Sequence, residues 1–394
     1  MRIVHLEAAR GPRGEPAITS GLTILDDRWI ACVSGRDVHL HDLTADPRTP
    51  CFTVEHGGQH TGAPGVLLTF DAARGFRRFA AADGRWCEVA RFGLPAPFTG
   101  WPADPQLSRS GKFVCVELPA YGDERHPWVV LLDAHDGRLI AAHERRLSAR
   151  ASFAALAGRE VLFLSAPSYM GVLLLDAASG RTLHAFEPSH GWDFCHTDYA
   201  LTPDGARLVV FGCIWAAPYE LRLYDATPWT GGASQAGGFP LPQLFAQVEA
   251  IPGETVLPAH VHDHGDGTLD VHSLVALRDL AAGLAEDEPE LAAEDRPILA
   301  ALRELPGSSA LLQRRVDLAS ARVVGWTVAP IRTTGETHVH ALPGHRAVLV
   351  GAGVQRFDGR TGEVREGPPL AEPKEWFLSA VAVNDETVLV RTLI

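Results

Sequence analysis

The stretch VVLLDAHDGRL, residues 129–139, decides the fold once it is set beside VLLLDAASGRTL, residues 172–183. Both read as an apolar strand, an aspartate, a few small residues with a glycine, then a second strand. The aspartate can accept backbone N–H bonds from the turn that follows it. The glycine supplies the positive φ that closes the hairpin. The pattern recurs as VHLHDLTADPR at Asp42, LRLYDATPW at Asp225, QRRVDLASARVV at Asp317 and VQRFDGRTGEV at Asp358. Steps of 91, 43, 49, 92 and 41 residues separate the six aspartates, so the unit is in the forties and two gaps are about double.

A second hairpin signal lies upstream of several copies. LSRSGKFVCVEL (107–118), LTPDGARLVVFG (201–212) and LPGHRAVLVGAG (342–353) each read strand, turn, strand. Each unit therefore holds about four short antiparallel strands, the sequence mark of a β-propeller blade. LTPDGARLVVFGCIWAAPYELRLYD (201–225) resembles the core of WD40 and YVTN-type repeats, although the Gly-His and Trp-Asp dipeptides of WD40 units do not recur. The resemblance implies a fold and no particular activity.

The expectation is an all-β protein, a single β-propeller domain over residues 1–394. Seven four-stranded antiparallel blades are expected. The count is eight if the degenerate unit at 65–92 and a composite closing blade both stand alone. The closing blade would pair the N-terminal strand RIVHLEA with the last strands in 377–394, removing exposed edges. RDLAAGLAEDEPELAAEDRPILAALREL (278–305) has helical periodicity and reads as an acidic helical insertion within one blade. The Gly/Pro-rich 228–243 reads as a surface loop.

Composition narrows the function. The formal net charge is −13, which disfavours binding to nucleic acid or to an anionic membrane. No apolar run approaches the ~20 residues of a membrane span. Only Lys112 and Lys374 are lysines, so arginine carries nearly all the basic charge, a mark of a GC-rich, bacterial genome. The N-terminal residues lack the apolar run of a signal peptide, and the six cysteines form no CxxC pair. Buried free thiols in a reducing cytoplasm are expected.

One segment carries chemistry. PAHVHDHGDGTLDVH (258–272) alternates His260, His262 and His264, which share one face of a strand. A three-residue GDG turn would set Asp270 opposite His262 and His272 opposite His260. His338 and His340 alternate again in GETHVHALPGH, and HGWDFCHTDYAL offers His196 and Asp198. By the repeat these fall on the innermost strands of three neighbouring blades.

Alternating imidazoles on a strand are a chelating unit suited to Fe, Zn or Cu. The metal candidates are His260, His262, His338, His340 and His196, with Asp198 or Asp270 orienting a ligand or acting as base. In placement alone this is similar to the carotenoid-cleaving oxygenases, whose inner strands hold iron through histidines. PGETVLPAHVH also resembles a cupin opening, but the expected glutamate and later glycine are missing. The alternative is plain polar lining of a water-filled channel. Trp215 and Tyr219 fall at a hairpin loop and are the ligand-binding candidates.

Two functions stay open. One is a cytoplasmic binding module, with a protein partner or small-molecule ligand at the His-rich mouth of the channel. The other is a metal-dependent oxygenase or hydrolase.

Overall fold

The computed structural model describes residues 2–7, 22–34, 36–45, 49–71, 74–98, 102–118, 128–144, 151–156, 158–165, 172–186, 194–201, 207–214, 219–226, 243–248, 251, 254–280, 295–320, 322–332, 337–342, 344–350, 353–369, 376–384 and 387–393. They form seven four-stranded antiparallel sheets, each a simple meander in chain order. We number these sheets I to VII; they occupy residues 22–54, 59–92, 103–144, 152–186, 194–248, 254–331 and 338–369. An eighth, three-stranded sheet holds Trp376–Asn384, Thr387–Leu393 and the first strand Arg2–Glu7. The protein is an all-β chain of propeller architecture. The degenerate unit at 65–92 stands as its own sheet, sheet II.

The repeated aspartate does what turn chemistry requires. It ends the third strand and caps the turn after it. Asp42, Asp133 and Asp358 accept from the backbone N–H two residues on, and Asp176 and Asp317 from the one three residues on, at 2.8–2.9 Å. Gly137, Gly180 and Gly362 close three of these turns at φ of 76°, 68° and 73°. An arginine at the start of the second strand, or just before it, reaches the same aspartate in three sheets: Arg28 to Asp42, Arg159 to Asp176 and Arg207 to Asp225. Asp71, within the first long gap, also accepts from its turn, through the Arg74 N–H.

The chain divides into two compact units. One holds Val4–Trp192, Pro228–Leu241 and Leu393–Ile394, and the other holds Met1–Ile3, Asp193–Thr227 and Pro242–Thr392. In the former, sheets I to IV pack face to face in sequence. Leu25, Trp29, Leu40, Leu67 and Phe79 fill one layer. Phe70, Phe76, Val116 and Leu132 fill the next, and Cys115, Leu131, Leu162 and Leu175 the third. In the latter unit, sheet VI packs on sheet VII through Leu311, Ala329, Val339, Leu349 and Phe357. Within each unit the first strand of one sheet touches the first strand of the next, as inner strands of a propeller do.

Of the insertion read at 278–305, residues 281–294 lie outside the described residues. Its end forms the helix Arg296–Arg303, which buries Ile298, Leu299 and Leu302 against Val275, Ala310 and Leu312 of sheet VI. The loop read at 228–243 lies outside the described residues except for Gln243, which opens a strand. No helix among the described residues is long and apolar enough to cross a membrane. Among the described residues, Cys32, Cys51, Cys87 and Cys115 form no disulfide; Cys32 and Cys115 are buried as expected, whereas Cys51 and Cys87 are exposed.

Candidate functional site

Sheet VI begins with the strand Glu254–Asp263, returns as Thr268–Ala276, and continues through Ser309–Asp317 and Arg322–Ile331. The GDG turn has the three-residue form. His264 N–H donates to the Thr268 carbonyl, Gly265 and Gly267 take φ of 70° and 90°, and His262 stands opposite Asp270. Asp266 stiffens the turn by accepting from the Thr268 N–H at 3.0 Å and its hydroxyl at 2.6 Å. Further along, the pairing shifts between Val256 and Val261, and His260 lies inside that irregular stretch.

Asp270 is the hub of the site. Its side chain is fully buried. Oδ2 receives His264 Nε2 at 2.8 Å, His345 Nδ1 at 2.8 Å and the Gln313 side-chain amide. Oδ1 receives Arg315 Nε at 3.2 Å. The carboxylate only accepts, so both imidazole nitrogens facing it carry protons. Burial pushes the Asp270 carboxyl up, but the hydrogen bonds from His264 and His345 outweigh it and hold the group below its ordinary value.

Two sheets build this cluster. His264, Asp270, Gln313 and Arg315 belong to sheet VI. His345 comes from sheet VII, in the turn between His338–Leu342 and Arg346–Val350. Gly344 and His345 both have positive φ, 75° and 63°. That backbone points the imidazole off the end of its own sheet, and the Gly359 N–H bonded to the His345 carbonyl at 2.7 Å holds it there. The two rings lie 4.1 Å apart between centroids, tilted by 51°. Their side chains are 7% and 12% exposed, so the cluster sits just beneath the surface.

The histidine and aspartate candidates lie on strands of sheets V to VII, whereas Tyr219, read as a loop residue, opens a strand. His260 and His262 lie on the first strand of sheet VI, and His338 and His340 on the first strand of sheet VII. His196 and Asp198 lie on the first strand of sheet V, Phe194–Leu201, and Tyr219 opens its third. These three first strands are neighbours in order. The side chains of all seven residues, and Trp215 altogether, lie outside the described residues. Asp270 is the one predicted site residue whose side chain is among the described residues.

Sequence reasoning missed His345, Gln313 and Arg315 as site residues, and noted His264 only for its alternation. A signal existed. In SALLQRRVD (309–317), three large polar residues interrupt the third strand of a four-stranded sheet, where both faces are covered. Buried polar groups of that kind need partners.

No family model matches this chain, and no curated protein sequence matches it. Solved structures do, at the level of the fold. A complex of KlAtg21 with the coiled-coil of AgAtg16 is similar with a TM-score of 0.50 and 11% identity, over 86% of this chain and 94% of that one. The computationally designed Ika8 protein is similar at 0.50 and 10%, over 92% and 89%. The β-propeller domain of Myceliophteria thermophila Cps50 (Swd1) scores 0.45 at 12% identity, over 89% and 96%.

Proposed function

We propose that this chain is a propeller-type binding module that works in the cytoplasm, where cysteines that form no disulfide are at home. Its recognition site is the histidine-rich end of sheets V to VII, the mouth of the channel that propeller inner strands line. The observation that carries this reading is the convergence of side chains from two sheets on Asp270. Loops and turns held by a rigid scaffold are where propellers meet their ligands. KlAtg21, similar in fold, is found in complex with the coiled-coil of AgAtg16.

The test is capture of partners from an extract of the source cell, compared between the wild type and two variant pairs. His262→Ala with His340→Ala, and Trp215→Ala with Tyr219→Ala, should each lose a partner that the wild type retains, with unchanged thermal midpoints. A partner set that neither pair alters would overturn the reading.

The alternation of histidines on the first strands of sheets VI and VII favours a second reading, a metal-dependent oxygenase or hydrolase. Its ligands would be His260, His262, His338, His340 and His196, with Asp198 or Asp270 as the orienting or basic group. Stoichiometric Fe, Zn or Cu in protein purified without a nickel column, lost in the His262→Ala, His340→Ala pair, would support it. Metal-free protein with an intact fold would count against it.

A further inference from the structure

We propose that His264 Nε2, Asp270 Oδ2 and His345 Nδ1 form a mononuclear site for a divalent transition ion, with zinc the ion to test. It is a separate set from the strand histidines, and the two fail separately. The three donor atoms lie within 4.8 Å of one another.

Crowding at Oδ2 is the argument. A carboxylate offers about four lone-pair positions over two oxygens, two on each. Here three N–H groups, from His264, His345 and Gln313, aim at Oδ2, while among the described residues Oδ1 holds only Arg315. One cation between the two imidazoles and Oδ2 resolves this. The ion takes one lone pair of Oδ2 and Gln313 keeps the other. Each imidazole gives up the proton that faces Oδ2, which passes through solvent to the ring's other nitrogen. A lone pair then faces the ion, and the ion displaces no backbone.

The distances allow it. Bonds of ~2.0–2.1 Å to a tetrahedral ion put ligand atoms roughly 3.3 Å apart. Each nitrogen is now 2.8 Å from Oδ2, so the rings need to part by about half an ångström. Both sit in hairpin turns, where a small side-chain rotation suffices. Two nitrogens and one oxygen select a transition ion over Ca²⁺ or Mg²⁺, which want oxygen shells. Gln313 and Arg315 supply the second layer of hydrogen bonds that ligating carboxylates have.

An ion here would tie the turn of sheet VII to sheet VI and leave a fourth position toward solvent. That open position would suit an anionic or carbonyl ligand.

The test uses the full chain without a polyhistidine tag, stripped with a chelator and titrated with Zn²⁺ by calorimetry. The wild type should bind one equivalent. His264→Gln and His345→Asn keep a side-chain amide for hydrogen bonding, and Asn tolerates the positive φ at 345. Each should weaken binding by more than about 100-fold, beyond the ~10–100-fold that second-layer losses cost. Gln313→Ala keeps all three ligands and should lose ~10–100-fold. Co²⁺ in place of Zn²⁺ should give the visible absorption of a tetrahedral site in the wild type. A wild type that binds no Zn²⁺ would overturn the site while leaving the binding-module reading intact. So would binding that survives His264→Gln and His345→Asn but disappears in the His262→Ala, His340→Ala pair, which puts the ion on the strand histidines instead.

Discussion

Breaking the ion pair behind the site should cost more than any surface change in this protein. On the far face of sheet VI, Arg314 donates to Glu254 Oε1 at 2.5 Å and to Oε2 at 2.9 Å, a two-pronged contact. The side chains are 2% and 0% exposed. Glu254 Oε2 also accepts the Ile251 N–H at 2.7 Å. Arg314→Met removes the cation and leaves Glu254 charged in a dry site. Orphaning one member of a buried pair costs ~3–5 kcal/mol. At about 1.4 kcal/mol per tenfold, that shifts the unfolding equilibrium by roughly two to nearly four orders of magnitude. Glu254→Met should cost at least as much, since it also strips Ile251 N–H of its acceptor.

The double variant decides the matter. With both charges gone, an apolar pair of similar volume is often as stable as the ions. Glu254→Met with Arg314→Met should therefore recover most of the loss. What remains is the orphaned Ile251 N–H, worth about 1–3 kcal/mol. Urea unfolding followed by tryptophan fluorescence measures all four corners of the cycle. The reasoning fails if Arg314→Met alone costs less than about 1 kcal/mol, since an exposed pair would give that. It also fails if the two single losses simply add.

Three further outcomes follow from particular contacts. The Arg28 hydrogen bond, aided by Thr44, holds the Asp42 carboxyl at about 2. A carboxyl depressed in the fold adds stability that is full above its unfolded value and disappears as pH falls toward the folded one. Urea midpoints should thus decline from about pH 4 to about pH 2 in the wild type, and less steeply in Asp42→Asn. Gly158 and Gly180 share positive φ, 75° and 68°, but a Cβ at 158 meets nothing within 4 Å, whereas one at 180 comes within 2.8 Å of the Ile140 carbonyl oxygen. Gly158→Ala should lose ~1–2 kcal/mol in thermal or urea unfolding and Gly180→Ala clearly more; equal losses would show that the Ile140 contact is not as described. A Cβ at Gly359 would sit 1.5 Å from Gln313 Oε1, so the Gln313 side chain must move. Gly359→Ala should displace Gln313 and weaken Zn²⁺ binding ~10–100-fold, as Gln313→Ala does; unchanged affinity would mean that Gln313 does not hold Asp270.

The fold was legible because it is local. An aspartate that ends a strand and a glycine that closes its hairpin leave a mark in every unit, and the contacts of Asp42, Asp133, Asp176, Asp317 and Asp358 are the ones that mark implies. The register of the GDG hairpin was legible for the same reason, since turn length sets strand pairing. The irregular stretch between Val256 and Val261 was not, because a bulge is chosen by packing rather than by local propensity. Nor was His345. It lies 75 residues from Asp270 along the chain, in a turn whose sequence announces only a turn. Contacts between sheets leave no periodic signature, so the partner of a buried carboxylate is found only once the sheets are placed.

The Gln313-Arg314-Arg315 run shows what could have been inferred. Neighbours on a strand point to opposite faces. Gln313 and Arg315 therefore serve Asp270 on the side of sheet VII, while Arg314 serves Glu254 on the side of the helix. An isolated buried arginine is too costly to keep, so the face that buries Arg314 must hold an acid. On the other face the buried Gln313 amide needs a partner, which Asp270 supplies. The two acids then differ in what surrounds them. Glu254 meets Arg314 and a backbone N–H, and its charge is balanced. Asp270 meets imidazoles, which can either donate a proton or offer a lone pair. That difference makes one acid a fixture of the core and the other a place where an ion can enter.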